Sequence, residues 1–183
     1  SSDSAETVRE RPVQPVAPAP PEAGLSGAGA DTILARGLEI IGMAASAFMM
    51  ENRFNPLPYR LTRFAAWLEV SDAPPATGGR TMLPPPEDHV VSMFGAMRNA
   101  GNWSDLLDAA ESRVGQFLFW LDLSWYSAES LDRLGQPEAA GAVGEETARY
   151  VRRLAGIENL SFSDGLPFAS PGAKEWLAAV SAK

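Results

Sequence analysis

From residue 31 onward, apolar positions recur at spacings of three and four. Leu34, Leu38, Ile41, Ala45 and Phe48 form one helical stripe. Ile33, Ile40 and Met49 widen it until the predicted first helix is apolar on more than one side. Such a helix is either central to a core or shared with a partner. Gly37, Gly42, Ala44 and Ala47 permit a close neighbour, Asp31 is placed to cap the N-terminus, and Asn55-Pro56 to stop the helix.

A second helix is predicted from about Pro58 to Val70, with Leu57, Leu61, Phe64 and Leu68 as its stripe. Arg60, Arg63 and Trp67 share another face. Further helical patterns cover 87–100, 102–114, 117–134, a segment opening at Pro137, and a short one from Pro171 to about Ala179. No alternating run is long enough for a strand. The pattern therefore predicts an all-α fold, a bundle of about seven helices.

Two segments break the periodicity. Residues 1–28 hold Pro12, Pro15, Pro18, Pro20 and Pro21, then Gly24 and Gly27, and read as a disordered interdomain linker before a helical domain over 29–183. Residues 71–86 hold Pro74, Pro75, Gly78, Gly79 and Pro84-Pro85-Pro86, a long stiffened loop. A faint echo relates Met97-x-x-x-Gly101 to Leu131-x-x-x-Gly135, 34 residues on. That spacing suits tetratricopeptide-like hairpins in the second half; a plain bundle is the simpler alternative.

Composition narrows function more than fold. The net charge of −8 disfavours nucleic acid and anionic membrane surfaces, which call for clustered cations. Without cysteine there are no disulfides, thiolate metal sites or cysteine nucleophiles. Arg36 and Glu39 interrupt the most apolar run, so it reads as a poor membrane span.

The candidate chemistry is thin. His89, the only histidine, would need Ser163 and Asp164 for a hydrolase, yet Ser163 lacks a nucleophile-elbow pattern. A solvated histidine in a first helical turn is preferred. Glu145 and Glu146 point about a hundred degrees apart on a helix and are read as a solvated face. Arg80, between glycines and prolines, is read as an internal clamp on a carboxylate or helix end. The aromatic group Phe117, Phe119, Trp120, Trp125 and Tyr126 is read as mainly core, Asp164-Gly165 as a turn, and Phe168 as a loop anchor. No catalytic, cofactor or metal residue is assigned.

Three blocks carry a family resemblance: Asn55–Trp67, Gly79–Pro86 and Arg153–Ala169. In this order they resemble the middle region of TssA-family proteins, also called VasJ or ImpA-like, of the bacterial type VI secretion system. The resemblance implies a cytoplasmic, non-enzymatic assembly subunit that contacts baseplate, sheath and tube components and forms homo-oligomers. It implies a middle domain with its preceding linker, the family's other domains lying outside the sequence. With the first helix, it suggests a homodimer through Leu34, Leu38, Ile41, Ala45 and Phe48. The rivals are a helical adaptor that binds peptides in a groove and a hydrolase using Ser163 and His89.

Overall fold

A computed structural model describes residues 27–182, so the linker prediction falls outside the described residues except at Gly27 and Ala28. The described chain is all-α, with seven α-helices and one minute hairpin. In chain order these are α1 (Ala30–Glu51), α2 (Pro56–Trp67), β1 (Ala76–Thr77), β2 (Arg80–Thr81), α3 (Asp88–Ala100), α4 (Trp103–Glu111), α5 (Asp122–Arg133), α6 (Pro137–Arg153) and α7 (Pro171–Ser181). A 3-10 turn, Ile157–Asn159, follows α6.

Helix ends explain several shifted boundaries. Asn55 does not stop α1, which ends at Glu51; it starts α2, accepting the Leu57 N–H on its side chain while Pro56 fills a first-turn position with no N–H to spare. Asp31 is not the cap of α1 either. Gly29 holds that position and Asp31 lies inside the first turn, where a negative charge faces the positive helix end. The predicted helix over 117–134 begins only at Asp122, because the chain first turns at Trp120, whose N–H is bonded to the Phe117 carbonyl. The 34-residue echo is a shared stop signal. Gly101 and Gly135 both take left-handed φ, 71° and 74°. The following N–H reaches back across the glycine in each case, Asn102 to Met97 O and Gln136 to Leu131 O. That is one helix-ending motif used twice.

Helices adjacent in sequence largely pack on one another. α1 packs on α2, α3 on α4, α4 on α5, α5 on α6 and α6 on α7, while α2 closes onto α6. The main core gathers Trp67, Phe94, Leu106, Trp120, Leu121, Leu123, Tyr150, Ile157 and Phe168. Tyr59, Leu107, Leu131, Ala139 and Val143 form a smaller second cluster. Trp67 stacks on Tyr150 with centroids 4.2 Å apart, and Phe168 packs against Phe119 and Phe162.

The long loop and the segment after α6 are joined through their backbones. Ser161 N–H donates to Gly79 O (2.9 Å), Thr81 N–H to Ser161 O (2.9 Å) and Ser163 N–H to Leu83 O (3.0 Å). The Thr81 hydroxyl also donates to Ser161 O. Pairing groups that would otherwise be buried without partners explains how so irregular a stretch stays ordered.

Candidate functional site

Two surfaces stand out, and both arise where apolar periodicity and burial disagree. On α1 only Ala45 is buried over 22 residues. Leu38, Ile41 and Phe48 are half-buried and Leu34 is exposed. Ile33, Ile40 and Met43 are exposed as well, Met43 by 62%. By length and composition this helix is also apolar enough to cross a membrane. It carries an Arg36–Glu39 pair, and its packing partner is the amphipathic α2.

On α2 the expected orientation is reversed. Of the stripe read from sequence, Leu57, Phe64 and Leu68 are exposed and Leu61 is half-buried. Tyr59, Arg63 and Trp67 are buried instead. The reason is a polar network that makes an arginine tolerable inside. Arg63, 1% exposed, sends Nη2 and Nη1 to the two oxygens of Glu111 at 2.8 and 3.2 Å. Its remaining donors reach Ser124 Oγ and Tyr59 O, and Ser127 Oγ donates to Glu111. A buried charge is kept when it is both paired and fully hydrogen-bonded.

The same helix meets α6 at the surface. Arg60 bonds Glu145 through Nη2 (2.8 Å) and Glu146 through Nη1 (2.9 Å). The two carboxylates expected to diverge into solvent are therefore bridged by one guanidinium on another helix. The Glu145 hydrogen bond, ahead of that from Glu146, raises the Arg60 pKa. Glu146 also receives Arg149. Beside this seam lies a groove of about 290 Å³ lined by Arg63, Phe64, Trp67, Leu68, Glu146, Arg149, Tyr150 and Arg153.

The residues singled out from sequence for structural roles lie at separate places. Arg80, read as a clamp on a carboxylate or helix end, is exposed, and among the described residues no hydrogen bond joins it to either. Its guanidinium lies against Gly165, where an added Cβ would come within 3.2 Å of Nη2. Asp164 Oδ1 accepts from Leu166 N–H, and Gly165 has φ of 98°, which makes the Asp-Gly turn. Trp120 and Phe168 are buried in the main core. His89 sits in the first turn of α3 with Nδ1 3.1 Å from Glu87, and Ser163 is exposed at the backbone ladder. No hydrogen bond among the described residues links His89, Ser163 and Asp164 into a catalytic relay.

Sequence reasoning missed two acids, Asp122, which is buried, and Glu111, which is mostly covered. Glu111 carries no local signal, since its partner is 48 positions away. Asp122 Oδ1 accepts both the N–H and the hydroxyl of Ser170, the residue that also caps α7. Burial raises its pKa above the ordinary carboxylate value, and the bonds from Ser170 and Trp120 pull the other way.

Comparison with known proteins bears on this arrangement as a whole. Residues 36–183 match the family model described as "Type VI secretion, EvfE, EvfF, ImpA, BimE, VC_A0119, VasJ". No curated protein matches the chain significantly. The matched span runs from inside α1, after Ile33 and Leu34, to the end of the sequence.

Proposed function

Because the chain belongs to the type VI secretion family that includes VasJ and ImpA, we propose that it is a non-enzymatic assembly subunit working through protein contacts. In this reading it supports assembly of the baseplate and of the tail tube and sheath on the cytoplasmic side of the apparatus. It also associates with a second copy of itself through α1. The observation that carries the reading is the family match across the helical body, joined to a 22-residue helix on which one residue is buried. A helix so apolar in water is stabilised by covering its outer face, and a symmetric pair covers it on both copies at once.

Leu34, Leu38, Ile41, Ala45 and Phe48 are proposed as the self-association stripe. Leu38, Ile41, Ala45 and Phe48 are also partly or wholly covered within the chain. The outward residues Ile33, Ile40 and Met43 extend the stripe and give the cleaner test. Light scattering should show a dimer, and Ile40→Asp should give a folded monomer. A wild-type chain that stays monomeric at high concentration removes the dimer. For the assembly role, deletion of the gene should stop secretion of the tail-tube protein while leaving its synthesis intact; normal secretion would refute the role. Association with liposomes in place of dimerisation would turn α1 into a membrane element.

A further inference from the structure

The α2–α6 groove has three properties that converge on one kind of ligand. Its walls are apolar: Phe64 is 46% and Leu68 38% exposed, over a floor of stacked Trp67 and Tyr150. Its lining presents Arg149 and Arg153 against the single lining acid Glu146, on a chain of net charge −8, while the charge of Arg63 is already met by Glu111. Finally, the indole Nε1–H of Trp67 is buried and has no hydrogen-bond partner among the described residues. A buried donor without an acceptor is costly and uncommon. An acceptor supplied by a ligand would relieve it.

The arginines are held in place. Arg149 is fixed by Glu146 and Arg153 by the Trp67 carbonyl, so the positive charge is presented in a set position beside the apolar wall. Phe64 and Leu68 face out because Arg63 takes the inward position on α2. We propose that this groove docks an acidic segment of a partner protein, an apolar side chain flanked by carboxylates. The apolar side chain lies along Phe64 and Leu68. The carboxylates face Arg149 and Arg153, and a ligand oxygen accepts from Trp67. The docking surface is distinct from α1. It rests on the assembly reading only for which protein supplies the segment.

The test uses the whole chain and the peptide acetyl-Glu-Glu-Leu-Phe-Asp-Glu-amide, with a second peptide carrying lysine for every acid. The readout is the indole N–H resonance of Trp67, assigned with Trp67→Phe. The acidic peptide is expected to shift that resonance, less so at high salt, and the lysine peptide to bind about tenfold more weakly or worse. Arg149→Gln and Phe64→Ala, both at exposed positions, should each weaken the acidic peptide by about tenfold with the helical spectrum unchanged. Equal binding of both peptides, a silent Trp67 resonance, or unaltered affinity in both variants would overturn the proposal. Peptide binding is read on this chain alone, whereas loss of the assembly reading would appear as normal secretion without the gene.

Discussion

Arg63 on α2 and Glu111 at the end of α4 meet as a fork, with N–O distances of 2.8 and 3.2 Å in the protein interior. The arginine side chain is fully buried and the glutamate 10% exposed. Removing one partner leaves a buried charge unmatched, which costs about 3–5 kcal/mol. Glu111→Ala should therefore lower the unfolding free energy by about that amount. Arg63→Met combined with Glu111→Leu should recover most of it, since an apolar pair removes both desolvation costs. Urea titration of the three variants decides. A double variant no more stable than Glu111→Ala would show that the network does more than pair two charges.

Phe168 is fully buried between Phe119 and Phe162, and its carbonyl receives the Leu121 N–H. Phe168→Ala should cost on the order of 3–5 kcal/mol. An unchanged melting temperature would mean the 157–169 segment contributes little to holding the helices together.

Gly172 lies in the first turn of α7 directly against Trp125, where a Cβ would come within 2.6 Å of the indole ring. Trp125 cannot easily yield, since Arg98 stacks on it at 4.6 Å while holding Glu129. An alanine normally favours a helix over glycine by about 1 kcal/mol. Here the overlap wins, and Gly172→Ala should destabilise by about 1–3 kcal/mol and alter the tryptophan emission. A more stable variant would mean that α5 and α7 separate readily.

Asp122 gives a pH dependence of definite sign. Its folded-state pKa is raised above the ordinary 3.8, chiefly by burial. Between those two values the folded chain holds a proton that the unfolded chain has released, so stability from this group falls as pH rises through that window. Above the folded value it is constant. Asp122→Asn keeps an oxygen for the Ser170 donors and removes the titration. Wild type minus variant stability should thus decline from strongly acid pH toward neutral. A difference that rises over that range would refute the assignment.

The helices and their approximate limits were legible because apolar periodicity and glycine or proline stops are local signals. Trp120 and Phe168 are buried, and Asp164-Gly165 forms a turn. The facing of α2 was not. Counting apolar residues favoured the Leu57, Leu61, Phe64, Leu68 side, while full burial went to Tyr59, Arg63 and Trp67. What decided it was a carboxylate at position 111, beyond the reach of any window along the chain. Likewise Glu145 and Glu146 diverge on their own helix, yet Arg60 on another helix spans the gap between them. The groove between α2 and α6 exists only after these long-range choices, so no motif announces it.

The ladder between Gly79–Leu83 and Ser161–Ser163 has a kinetic consequence. It closes a loop of roughly eighty residues that contains α3 to α6. Contacts between neighbouring helices span short stretches of chain and form early, whereas this closure carries a larger entropic cost that its few hydrogen bonds repay only once the helices are docked. Substitutions such as Thr81→Ala should therefore speed unfolding and leave the refolding rate nearly unchanged. The ladder would then act as a latch on the finished domain, setting how long it stays folded under load while the docking of the helices sets how fast it is made.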